Sequence, residues 1–141
     1  MPNLIEDVLA SKLAVWLADN RPEAIPTSVP IHVANRDELR TRPCIVLATS
    51  DTRPVSGARH TARIKLDVHL FTQVDDTPAA TGTGWARELA VLLSGVAAIQ
   101  ADLNDDTFCL HDLLLRDSST LPDESRGRET VLSYEVVVSA V

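Results

Sequence analysis

The chain has 141 residues, 45% of them hydrophobic and 23% charged, with a net charge of −7 from 13 Lys+Arg against 20 Asp+Glu. That is room for one domain of ordinary size with a sizeable core, so residues 1–141 are read as a single soluble domain. The acidic balance argues against a general affinity for nucleic acid or for anionic membranes, because both need a basic footprint.

Only two cysteines occur, Cys44 and Cys109, too few for a disulfide framework. The opening Met-Pro-Asn-Leu-Ile-Glu-Asp has neither the basic region nor the apolar run of a signal peptide. No apolar stretch approaches the ~20 residues of a membrane span.

Asn3 to Asn20 reads as a helix. Leu4, Ile5, Val8, Leu9, Leu13, Trp16 and Leu17 fall at helical spacing on one face. Glu6 and Asp7 occupy the first turn, where acids suit the dipole, and Pro22 ends the run. Pro22, Pro26 and Pro30 mark a loop leading to an edge strand at about Val29–Val33. A polar turn follows at Asn35–Glu38. Pro43–Ser50 is nearly continuously apolar, as in a strand covered on both faces. Asp51–His60, with Pro54 and Gly57, reads as a polar loop.

Thr61–Thr72 is the clearest strand. Ile64, Leu66, Val68 and Leu70 alternate with Arg63, Lys65, Asp67 and His69, and only Phe71 departs from the pattern. This period of two turns the aliphatic set to a core and the charged set to water or a partner. Asp75–Gly84 reads as a second loop. A second helix is predicted from about Gly84 to Ser94, with Trp85, Leu89, Leu92, Leu93 and Val96 as its buried stripe and Gly95 as its stop. Ala97–Leu103 can add one or two turns.

Thr107–Arg116 reads as a strand whose inner face is hidden by Leu113-Leu114-Leu115. Asp117–Gly127 reads as a polar hairpin connection. Glu129–Val141 closes the chain as a strand, with Leu132, Tyr134, Val136 and Val138 on one face. The order α-β-β-β-α-β-β, with hairpin-length connections, predicts an α+β fold: a mainly antiparallel sheet packed against two helices.

Chemical motifs are sparse. No Gly-x-Ser-x-Gly elbow and no His-x-x-x-His pair occurs, and Gly82-Thr83-Gly84 lacks the rest of a phosphate loop. Asp75-Asp76 and Asp105-Asp106 lack calcium-loop spacing. Cys109 and His111 stand two apart on a predicted strand and share a face. That permits a metal pair or a thiolate–imidazole pair, although ordinary strand packing is the favoured reading. No catalytic, cofactor-binding or metal-ligating residue is therefore expected, and no enzyme.

The basic residues cluster instead: Arg36, Arg40 and Arg42; Arg53, Arg59 and Arg63; Arg126 and Arg128. Solvated loops account for them, and this is the favoured reading. The other reading is a charge-complementary surface suited to head-to-tail self-association.

The order and placement of elements over nearly all of the chain resemble a known family. The carriers are the opening helix Leu4–Leu17, the strand Arg-Pro-Cys-Ile-Val-Leu at Arg42–Leu47 within a strand hairpin, and Ala-Arg-Ile-Lys-Leu-Asp-Val-His-Leu-Phe-Thr at Ala62–Thr72. Trp-Ala-Arg-Glu-Leu-Ala-Val-Leu-Leu at Trp85–Leu93 and the closing Ser-Tyr-Glu-Val-Val-Val at Ser133–Val138 complete the pattern. In these respects the chain resembles the tail-terminator and tail-completion proteins of long-tailed phages and related prophage particles. The resemblance implies a homohexameric ring that caps the tail tube, stops its growth and docks the head-side connector. The implied partners are other copies of the chain, the tail tube protein and the head–tail connector protein, with DNA only passing through the lumen. The implied location is the virion tail, assembled in the host cytoplasm.

The implied subunit and tail contacts use the loops Asp51–His60 and Asp75–Gly84 and the outward face of the strand between them. The residues are Arg53, Arg59, Arg63, Lys65, Asp67, His69, Asp75 and Asp76. Two alternatives stand beside this reading. One is a neck or head-closure protein of the same particle. The other is a small metal-binding or hydrolytic enzyme using Cys109, His111 and loop aspartates.

Overall fold

The computed structural model describes residues 4–33, 44–55, 57, 60–73, 79–123 and 127–140. In chain order the elements are α1 (Ile5–Asn20), β1 (Ile31–Val33), β2 (Cys44–Pro54), β3 (Thr61–Gln73), α2 (Ala79–Leu93), α3 (Val96–Leu103), β4 (Phe108–Asp123) and β5 (Gly127–Ala140). The strands form one sheet in the order β1-β2-β3-β5-β4. The fold is α+β, as its pattern predicts.

The alternation along β3 and β5 decides which face is covered. Ile64, Leu66, Val68 and Leu70 of β3, and Leu132, Tyr134, Val136 and Val138 of β5, are all buried. They pack with Ile45 and Leu47 of β2, Leu110 and Leu113 of β4, and the helices into one large cluster. The helices supply Leu9, Leu13, Trp16 and Leu17 from α1, Trp85, Leu89 and Leu93 from α2, and Ile99 and Leu103 from α3. Each large aliphatic or aromatic side chain so buried contributes about 1.5–3 kcal/mol. Among the described residues, all three helices lie on this one face of the sheet.

α1 carries its acids at the first turn, Glu6 and Asp7, as expected. Beyond its end, Arg21 Nη1 donates to the carbonyls of Pro26 and Val29, at 2.5 and 2.9 Å, and folds the proline-rich segment back. Ile25 and Val29 of that segment are buried in the main cluster. α1 is tied to α3 by Trp16 Nε1, which donates to Asp102 Oδ2 at 2.8 Å. Asp105 then shapes the turn into β4. Its Oδ1 accepts from the backbone N–H groups of Thr107 and Phe108, at 2.8 and 2.9 Å, and from the Thr107 hydroxyl at 2.9 Å. Lys12 of α1 pairs with the same carboxylate and sits 5.5 Å above the Phe108 ring. These donors, the Lys12 contact first, hold the Asp105 carboxyl well below the usual carboxylate range.

The structure differs from the sequence expectations at five places. β1 does run at a sheet edge, but it pairs with β2 in parallel, Ile31 opposite Ile45, rather than as a hairpin. β2 runs on to Pro54, because a bulge between Ser50 and Arg53 lets a polar stretch stay in the ladder. Asp51 takes up the bulge with φ 51, a conformation that Asp tolerates better than most residues. α2 starts at Ala79 rather than Gly84. Val96–Leu103 is a separate third helix beyond Gly95, not an extension of the second. Finally, most of the polar stretch Asp117–Gly127 is strand: β4 reaches Asp123 and pairs with β5 down to Gly127.

The β2–β3 connection is closed by Val55 N–H donating to Thr61 O at 2.9 Å. Within it Gly57 has φ 78, with open space where a Cβ would stand. Gly57→Ala should therefore cost about 1 kcal/mol through backbone strain alone, read as a lower urea midpoint with an unchanged slope.

Candidate interaction surface

The second face of the sheet carries the charges. Strand register sets its rows. Arg53 of β2 stands opposite Arg63 of β3, and Ser50 opposite Lys65. Lys65 stands opposite Glu135 of β5, Asp67 opposite Ser133, and His69 opposite Val131. Arg63 and Lys65 are exposed, while Asp67 and His69 are half-buried. Five of the eight contact residues expected from the sequence are thus gathered on one face: Arg53, Arg63, Lys65, Asp67 and His69. Arg59, Asp75 and Asp76 lie outside the described residues, as do Arg36, Arg40, Arg42 and Arg126.

Glu135 organises the centre. Its Oε1 pairs with Arg63 Nε at 2.8 Å. Its Oε2 accepts from Arg116 Nε at 2.7 Å and from Arg116 Nη2. Arg116 reaches it from the bulge between Leu115 and Asp117, which turns a side chain of the edge strand onto this face. The bonded Arg116 guanidinium holds the Glu135 carboxyl below the usual range, with a smaller contribution from Arg63. Arg53 and Lys65 make no ion pair among the described residues. The result is a shallow depression of about 750 Å³, with Arg53, Arg63, Lys65 and Arg116 outnumbering Glu135 and Asp51 and with Pro54 and Val55 as an apolar rim.

Further along the face His69 Nδ1 lies 2.7 Å from Glu129 Oε1, and the His69 ring stacks on Phe71 with centroids 6.0 Å apart. Phe71 keeps the outward alternation of β3 and is buried with Cys44 and Val46 in a small separate cluster. Ion pairs such as Arg63–Glu135 and Arg116–Glu135, with largely exposed guanidinium groups, add little stability, usually below about 1 kcal/mol. What they do is fix charges in place on an open face, which serves recognition.

Glu135, Arg116 and Glu129 were not among the residues singled out from the sequence. Glu135 had a signal, since it alternates with the buried face of β5. Its meeting with Arg63 depends on β5 inserting between β3 and β4, which no local pattern encodes.

The Cys109–His111 pair is brought together at the edge strand. Cys109 Sγ lies 4.0 Å from His111 Nδ1, and His111 Nε2 lies 2.7 Å from Ser139 Oγ. A nucleophile–base pair needs a third group to orient the imidazole, and here the other ring nitrogen, Nε2, faces the Ser139 hydroxyl rather than a carboxylate. Among the described residues no three His, Cys, Asp or Glu side chains converge as a metal site would require. No helix among the described residues is long and apolar enough to cross a membrane.

No protein-family model matches the sequence, and no curated protein does. In solved structures the fold recurs in a chain of the virion of a native gene transfer agent particle. The two agree with a TM-score of 0.69 at 17% sequence identity, over 98% of this chain and 99% of that one. At that identity the likeness is one of fold.

Proposed function

We propose that the chain, as one domain, is a structural protein of a phage-like virion. In this reading it is a tail terminator, forming a ring that caps the tail tube and meets the head connector. It assembles in the host cytoplasm, becomes part of the tail, and lets DNA pass through the ring without chemistry. The observation that carries this is the end-to-end fold likeness to a chain of the gene transfer agent virion, which leaves almost no part of either chain unmatched. The open charged face supports it further: Arg53, Arg63, Lys65, Asp67 and His69 lie on an open sheet face, which suits a protein contact better than an enclosed pocket does. Arg59, Asp75 and Asp76 are proposed to extend the same contact surface.

The test is light scattering on the purified protein, alone and after addition of tail tubes or portals purified from the same particle. A terminator binds tube ends as a ring. Binding to portals and not to tubes would assign the chain to the neck instead. A strict monomer that binds neither would end the virion reading.

A further inference from the structure

Two depressions on opposite layers of the molecule carry a net excess of opposite charge, Arg53, Arg63, Lys65 and Arg116 against Asp51 and Glu135 on the sheet, and Asp19 and Asp102 against Lys12 between α1 and α3. The sheet face has the basic depression described above, with Arg53 and Lys65, which make no ion pair among the described residues. The helix face carries a second depression, about 560 Å³, in the cleft between α1 and α3. Its wall includes Asp19, Asn20, Asp102 and the nearly buried Trp16, with Lys12, whose charge is engaged by Asp105, and the exposed Val15 at the rim. Asp105 and Asp106 follow at the end of α3, and Asp19 and Asp106 are exposed with no ion pair among the described residues.

We propose that the basic depression on the sheet of one copy receives the acidic α1–α3 cleft of the next. Arg53 and Lys65 would face Asp19 and Asp106, and the apolar rims, Pro54 with Val55 and Val15, would meet. Two different patches on opposite layers make a heterologous contact, which closes into a ring when the rotation per copy allows it. A second copy fits better than a nucleic acid does. Glu135 sits in the middle of the basic depression, where it would repel a phosphate backbone, and the chain is acidic overall, at −7. This contact rests on the self-assembly reading above and names its surfaces.

The experiment uses paired charge reversals at four exposed positions that hold no ion pair among the described residues. One variant carries Arg53→Glu and Lys65→Glu, a second Asp19→Lys and Asp106→Lys, and a third all four. Thermal melts check that each folds. Association is read by sedimentation at about 0.02 M and about 0.5 M salt, up to roughly millimolar protein. The wild type is expected to associate, more weakly at high salt. Each two-site variant alone should associate at least about tenfold more weakly. An equal mixture of those two should recover association, because each then offers the surface the other lost, and the four-site variant should associate by itself.

Association that ignores the reversals, or a mixture that fails to recover, overturns the proposal. So does a groove reversal that abolishes binding to a duplex DNA while leaving self-association intact. A wild type that stays monomeric throughout also overturns it, but tube binding, measured separately, would still support the virion reading.

Discussion

Phe108→Ala should destabilise the protein by about 3–5 kcal/mol, the cost of emptying a fully buried aromatic site that cannot collapse. Phe108 is 1% exposed and heads β4 where the sheet meets α1 and α3. Its backbone N–H is held by Asp105 and its ring lies beneath Lys12, so three elements converge on one side chain. A loss of that size lowers the melting temperature by on the order of 10–20 °C for a domain of this length. Leu114→Ala on the same strand is the control. Leu114 is 44% exposed on the open face, so its truncation should cost no more than about 0.5 kcal/mol. Equal losses for the two would mean that the helix-covered face is not the core.

The second large effect is alkaline. Tyr134 is 3% exposed on the core face of β5, and its hydroxyl has no hydrogen-bond partner among the described residues. Burial pushes its phenol up from 10.0 to about 12. Below pH 10 the phenol is neutral whether the chain is folded or unfolded, and stability is undiminished. Between pH 10 and about 12 the unfolded chain ionises while the folded one resists, so stability drains away as pH rises. The full loss is on the order of 3 kcal/mol. Tyr134→Phe should remove this part of the pH dependence. At neutral pH it should be neutral or stabilising by about 1 kcal/mol, because it deletes a buried hydroxyl that bonds to nothing described. Urea midpoints for both proteins at about pH 9 and about pH 11.5 make the comparison, and parallel losses would show that other groups dominate.

Much of the fold was legible wherever one face was buried and the other was not. β3 up to Leu70 and β5 from Thr130 to Val138 bury every second residue, so the period of two names their inner residues. The opening helix was equally plain, because Leu9, Leu13, Trp16 and Leu17 hold one stripe. Legibility failed where burial did not impose a period. Ser118, Ser119 and Thr120 sit in an edge strand with all three side chains exposed, so their composition looks like a loop while their backbone pairs with β5. The triple leucine was ambiguous because bulges flank it: Leu113 is buried, and Leu114 and Leu115 are exposed.

The candidate surface divides in the same way. Arg63, Lys65, Asp67 and His69 follow from the period of two along a single strand. The Arg63–Glu135–Arg116 arrangement joins three strands and needs the order β3-β5-β4, together with a bulge that redirects Arg116. Of the basic residues expected on solvated loops, Arg53 and Arg63 stand in the ladder of β2 and β3. Arg63 joins Arg116 on one carboxylate, while Arg53 and Lys65 make no ion pair among the described residues.

The most direct test of the account is electron cryo-microscopy of particles carrying this chain with a small fused label. A tail terminator gives a ring of label at the head-proximal end of the tail tube, continuous with the last tube layer. Label absent from purified particles, or scattered without a ring, would contradict it.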